Sequence, residues 1–177
     1  LSGLSGILAG IYALIGAGYY YYFLDNQIQN STELTIEFIF PIIIIVLVVG
    51  LATTITTIFF TTKRSKITDE KTWSITSKNL VKSYLFTLTI GLIYIAINLF
   101  QENYTHLIAL LLLFYGLALI NASKYTSNIV KPLGIIEVSV GLLCALYPKY
   151  SFWVWVIGFG LVHIIYGSII YFKYDKK

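Results

Sequence analysis

The sequence predicts an all-α fold, a polytopic bundle of six transmembrane helices, and three observations carry that prediction. Apolar residues run in blocks of about 20 with almost no charge inside them, enough to cross a hydrocarbon core about 30 Å thick. Of 177 residues, 58% are hydrophobic and only 11% charged, less than half the roughly 25% of a soluble domain. Eleven of the twelve Lys and Arg residues fall on one side if the blocks cross in succession. No polar segment is long enough for a soluble domain, so residues 1–177 read as a single transmembrane domain.

The first span is Leu4–Leu24. The first segment as a whole, about 24 residues before Asp25, exceeds the roughly 7–15 of a signal-peptide core and has no cleavage-like flank, so it reads as a membrane helix. The absence of methionine and a start at Leu1 place the encoded start upstream. Ser2, Gly6 and Gly10 recur every fourth residue, with Ala9, Ala13 and Ala17 on an adjoining face, the spacing that lets helices approach closely in lipid. The run YYYYF, Tyr19–Phe23, ends the span as an aromatic belt, since each ring is apolar and each hydroxyl seeks water.

The second span, Ile36–Thr61, holds Pro41 in its opening turns, where a missing N–H costs little, and Thr53, Thr57 and Thr61 on one stripe. Loop 63–82 follows, with Lys63, Arg64, Lys66, Lys71, Lys78 and Lys82. Trp73 among these lysines reads either as a piece lying on the anionic inner leaflet or as part of a solvated loop. Spans three and four are Ser83–Phe100 and Leu107–Ala122, the latter expected to extend into NASKYT. Pro132 opens the fifth span, Pro132–Tyr147, and the sixth is Phe152–Phe172. Lys124 and Lys131 lie between spans four and five, and Lys173, Lys176 and Lys177 follow span six. Only Lys149 is opposite. The positive-inside rule therefore places both termini and loop 63–82 in the cytoplasm of a bacterial inner membrane. Asn30-Ser31-Thr32 matches the N-glycosylation pattern, which matters only in a eukaryotic secretory pathway.

Spans three–four and five–six carry one pattern twice. Gly91 precedes Tyr115-Gly116 by 24 and 25 residues, and Gly141 precedes Tyr166-Gly167 by 25 and 26. An offset of about 50 residues predicts a parallel repeat of helical hairpins. Gly91 and Gly116 are expected to pack the first hairpin, Gly141 and Gly167 the second.

The stretches FYGLALINASKYT (114–126), GFGLVHIIYG (158–167) and LSGLSGILAGIYALIGAG at the start resemble a family of uncharacterised bacterial six-span integral membrane proteins. More loosely, the hairpin pattern, with an early glycine, Pro148 in a turn and a late YG, is similar to HdeD-type acid-resistance membrane proteins. The resemblance implies the six-span architecture and brings no catalytic residues.

One carboxylate interrupts the apolar blocks. Glu137 lies five residues beyond Pro132, about 7.5 Å into the membrane at about 1.5 Å per residue. A charge at the bilayer centre costs about 2.5–3.5 kcal/mol, so a carboxylate within a span has a partner or a task. Packing spans five and six as a hairpin brings Tyr166 to its level and His163 one turn deeper, a candidate Glu137–His163–Tyr166 cluster. The repeat counterparts of Glu137 and His163 are Thr87 and Leu112, so the ionisable pair occurs once. Burial disfavours a charged carboxyl and His titrates near neutrality, so the cluster is either a packing lock or a pH-responsive site.

Cys144 is the only cysteine, which excludes an intramolecular disulfide and any Cys-based metal site. No nucleophile motif, metal set or phosphate loop is present, so no catalytic residue, metal or cofactor is expected. The net charge of +4 follows the membrane's inner face, and no basic patch is interleaved with aromatics for nucleic acid. The chain thus reads as a non-enzymatic membrane protein, structural or sensory, whose partner is the lipid bilayer. The alternative is a small transporter or channel subunit working as a homo-oligomer; a lipid-acting enzyme comes third.

Overall fold

Away from water an apolar run must satisfy its own amides, and the helix does so within one segment. In the computed structural model, which describes residues 3–28, 36–67, 74–126 and 130–175, the chain is accordingly helical, with no strand among the described residues. In chain order the helices are α1 (Gly3–Ile28), α2 (Ile36–Ile67), α3 (Ile75–Phe100), α4 (Leu107–Ala122), α5 (Val130–Leu146) and α6 (151–175). The last is α-helical over Ser151–Trp155 and His163–Ile170, and π-helical over Val156–Val162 and Tyr171–Asp175. All except α5 contain a stretch long and apolar enough to cross a membrane. With 17 residues, α5 stands at the lower end of the roughly 17–25 that a crossing takes.

The helices outrun their apolar blocks. Loop 63–82 is shorter than the sequence suggests, because α2 continues to Ile67 and α3 begins at Ile75. The segment ITSKNLVK is polar yet carries no helix breaker, and Ser74 caps it: the Ser77 N–H donates to Ser74 Oγ at 3.1 Å. Pro41 sits in the second turn of α2, and Pro132 is the third residue of α5, inside its first turn. Residues 68–73 with Trp73, the Asn30–Thr32 pattern, Ser2, Lys176 and Lys177 lie outside the described residues.

At its far end α3 stops through a Schellman turn. The Asn103 N–H donates to Asn98 O at 2.9 Å and the Glu102 N–H to Leu99 O at 3.1 Å. Glu102 holds φ 55°, the left-handed conformation that this turn demands and that glycine usually supplies.

The chain divides into two compact units. One holds α1, α2 as far as Arg64, and α6 from Phe159 onward; the other holds residues 65–158. In the first unit α1 and α6 run antiparallel along a glycine seam. A Cβ on Gly6 would come 3.1 Å from Gly167 Cα, and one on Gly160 would come 2.8 Å from Leu14 Cδ2. Ala9, Ala13 and Ala17 are buried on α1. Against α1, α2 leans at Gly16, where Ile45 and Val49 fill the place of a side chain. In the second unit α4 and α5 pack most extensively, and α3 lies on α4.

Candidate functional site

In α5 the residues Val130, Leu133, Gly134, Glu137, Gly141 and Cys144 are buried while Ile135, Ile136, Leu142 and Leu143 are exposed. The buried set repeats every three to four residues, one stripe of a helix facing a neighbour. That neighbour is α4. A Cβ on Gly116 would come 2.7 Å from both Gly134 O and Val138 N; one on Gly134 would come 2.8 Å from Gly116 O. Two turns on, a Cβ on Gly141 would come 2.9 Å from Leu113 N and 3.1 Å from Ala109 O. These distances are shorter than real Cβ contacts, so the two backbones touch because these positions are glycine.

Rising numbers on α5 meet falling numbers on α4, which sets an antiparallel register. Glu137, midway between Gly134 and Gly141, stands level with residues 113–116 and is fully buried. At that level lie Leu113, Phe114, Tyr115 and Gly116. Tyr115 is within electrostatic range of Glu137 and of Tyr84 on α3, and Cys144, two turns along α5, is within range of Glu137.

Gly116 and Gly141 therefore do not work as the hairpin reading expects. Both join α4 to α5 instead of joining the members of each hairpin. Gly91 does serve the α3–α4 contact: a Cβ there would run into the Phe114 side chain, 2.5 Å from its Cβ. Gly10 sits against Gly160 O and Ile164, and Gly167 against Gly3 O, Gly6 and Ile7, so these hold α1 to α6.

Two polar ties flank the carboxyl within the second unit. Asn121 Nδ2 donates to Thr87 Oγ1 at 3.2 Å and to Ser83 O at 3.3 Å, joining α4 to α3, while Lys124 Nζ donates to Asn121 Oδ1 at 3.1 Å. At the other end of α5, Ser151 Oγ donates to Cys144 O at 3.2 Å. Cys144 is buried, a small residue at the start of the turn into α6.

His163 and Tyr166 belong to the first unit, on the α-helical stretch that follows the π-helical turn Val156–Val162. The His163 ring is buried and stacks on Phe159, centroids 4.4 Å apart at 30°. Its backbone lines the seam with α1: a Cβ on Gly6 would come 3.6 Å from His163 O. Tyr166 follows three residues on and is half-buried. Within the second unit Tyr115 stands at the level of Glu137, and within the first His163 stacks on Phe159.

Tyr115 is the residue sequence reasoning passed over. It was visible only as the repeat counterpart of Tyr166, whereas the α4–α5 register brings it to the level of Glu137. Several hydroxyls are engaged locally, while the buried Thr53 Oγ1 has no hydrogen-bond partner among the described residues. Thr54 donates to Gly50 O at 2.8 Å, Thr56 to Ala52 O at 2.9 Å, Thr87 to Ser83 O at 3.1 Å and Ser139 to Ile135 O at 3.0 Å. Asn98 Nδ2 likewise donates to Tyr94 O at 2.9 Å. Among the described residues no group of three or more His, Cys, Asp or Glu is placed to hold a metal ion.

Long apolar helices packed through glycine seams, five of them long and apolar enough to cross a membrane, define the class as a helical protein consistent with a membrane. Comparison with family models, with characterised proteins and with solved structures finds no match to this chain.

Proposed function

We propose that the chain is a six-span, non-enzymatic protein of a bacterial cytoplasmic membrane, with both termini cytoplasmic, whose buried Glu137 makes helix packing responsive to protons. The single observation that carries this reading is the full burial of Glu137 in the α4–α5 seam, between two glycines that put the backbones in contact. A proton gained or lost there changes the charge inside the tightest interface of its unit. Basic residues on one face support the orientation, and the resemblance to bacterial six-span proteins supports the span count. A transporter needs a polar path through the bundle; hydroxyls bonded to their own backbone argue for lipid-facing and packing roles instead.

Glu137→Gln and Glu137→Leu test it in reconstituted bilayers. Gln keeps the shape and the hydrogen-bonding capacity but cannot titrate. A sensory site predicts that Gln abolishes the pH dependence of unfolding while the protein stays folded. A lock without a sensory role predicts a silent Gln and a Leu variant weaker by about 0.6 kcal/mol, the average for interhelical bonds in membranes. Wild-type pH dependence in both variants refutes the reading.

A further inference from the structure

The second unit collects positive charge at one end. Exposed there are Lys78 and Lys82 on α3, Lys124 in the turn after α4, and Lys131 in the first turn of α5. The bonds from Asn121 Nδ2 to Ser83 O and from Lys124 Nζ to Asn121 Oδ1 hold the start of α3 to the end of α4. Ile120, beside Asn121, stands against Gly134 near the start of α5. Among the described residues of the unit no carboxylate shares this end: Glu102 sits in the turn at the far end of α3, and Glu137 is buried in the α4–α5 seam. Asp69 and Glu70 lie outside the described residues. From Lys131 an open groove of about 450 Å³ follows α5, lined by Lys131, Pro132, Ile135 and Ile136. Both isoleucines are exposed, off the buried stripe that meets α4.

We propose that this groove holds an anionic phospholipid, its phosphate on the Lys131 ammonium and one acyl chain along Ile135 and Ile136. In the orientation proposed above, the leaflet at this end is the cytoplasmic one. The inference rests on the reading of the helices as membrane spans and not on the titration of Glu137.

Charge and depth select this occupant. Lys131 carries a point charge on a long flexible stem, suited to a phosphate oxygen at headgroup level. Ile135 and Ile136 follow four and five residues on, about 6–7.5 Å farther along α5 at about 1.5 Å per residue. That is the order, phosphate and then chain, in which such a lipid enters the bilayer. Pro132 gives the groove an apolar ring and no N–H. A zwitterionic lipid brings its own ammonium, which Lys78, Lys82 and Lys124 repel, whereas an anionic headgroup meets attraction alone.

The test is native mass spectrometry of the full chain in detergent, titrated with phosphatidylglycerol or with phosphatidylcholine of the same acyl chains. Wild type is expected to prefer phosphatidylglycerol. Lys131→Gln should weaken that binding about fivefold, the worth of one lysine near an anionic surface, and leave phosphatidylcholine unchanged. Lys149→Gln, beyond the other end of α5, should change nothing, and Lys78→Gln should cost less than Lys131→Gln. Equal losses from Lys78→Gln and Lys131→Gln would mean a diffuse basic face, and displacement of the lipid by glycerol phosphate a site for soluble phosphate; either overturns the proposal. So does a Lys131→Gln variant that releases a second copy of the chain and not a lipid. A readout on the wild type covers a variant that does not fold: phosphatidylglycerol with a photoactivatable acyl chain should label the segment holding Ile135 and Ile136. Labelling only elsewhere, or equal labelling from phosphatidylcholine, overturns the site. A chain that alkaline carbonate strips from bilayers refutes the membrane reading; an inserted chain with no preference for phosphatidylglycerol refutes the site alone.

Discussion

Replacing Gly116 with alanine adds one methyl group where α4 and α5 touch, and Gly50→Ala adds the same methyl where nothing lies within 4 Å. Both substitutions remove a glycine from a helix interior, which by itself favours the helix by about 0.5–1 kcal/mol. At Gly50 that gain stands alone. At Gly116 the new Cβ would meet Gly134 O and Val138 N at 2.7 Å and Val138 Cγ2 at 2.8 Å, and two of these are backbone atoms that cannot rotate away. The helices must part by several tenths of an ångström. Overpacking of this kind costs about 1–3 kcal/mol. Because the propensity term is common to both variants, their difference isolates the clash, about 1–3 kcal/mol. At roughly 2–4 °C per kcal/mol for a chain of this size, Gly50→Ala should melt a little above wild type and Gly116→Ala below it. The assay is thermal unfolding in one detergent or bilayer system, read by helicity. If the two variants shift together in the same direction, the glycine seam between α4 and α5 is not a close contact and the register built on it fails.

Glu102→Gly should raise stability by about 0.5–1 kcal/mol, because glycine carries no penalty in the left-handed turn; a loss on thermal unfolding would mean the Glu102 side chain does more than occupy it. Asn121→Leu should cost about 0.6 kcal/mol and at most about 1.7, and a double-mutant cycle with Thr87→Val should recover most of it, since the pair share one hydrogen bond. A cycle with no coupling would place the cost elsewhere. Cysteines at Ser65 and Ser31 should label from opposite faces of the membrane, against a wild-type background kept quiet by the burial of Cys144. Labelling of both from one face ends the six-span topology.

The apolar spans were legible because a run of apolar residues is a local property: its length sets how much membrane it crosses, whatever its neighbours do. Helix ends were less legible. Hydropathy stops where the lipid stops, but ITSKNLVK continues as helix beyond it, since the Ser74 cap and the absence of breakers decide the backbone there. The glycines were recognisable as packing positions, yet their partners were not. Gly116 lies beside Tyr115 just as Gly167 lies beside Tyr166, and the sequence symmetry suggests equivalent contacts. One seats α5 and the other seats α1, because the face a helix presents depends on which helix arrives, information spread over the whole chain. The burial of Glu137 was readable from its apolar surroundings; the residues of α4 at its level were not, being fixed only by the α4–α5 register.

A carboxyl is a poor means of fastening two helices that glycine has already brought into contact. Backbone contact through Gly116, Gly134 and Gly141 supplies van der Waals attraction along the α4–α5 seam with no polar group involved. At the bilayer centre, the limiting depth, the charged form of a side chain costs about 2.5–3.5 kcal/mol. One interhelical hydrogen bond returns about 0.6 kcal/mol, and about 1.7 at most. The deficit is about 1–3 kcal/mol, so a hydrogen bond alone does not make a charged Glu137 a stabilising choice over a well-packed apolar residue. What a carboxyl adds, and leucine or glutamine cannot, is a state that changes with proton activity. A difference of this size inside the seam is enough to shift a packing equilibrium by roughly five- to more than a hundredfold. A seam whose tightness varies with protons therefore fits these energies better than a seam that is merely held, and Glu137→Gln, which keeps the shape and removes the charge, separates the two.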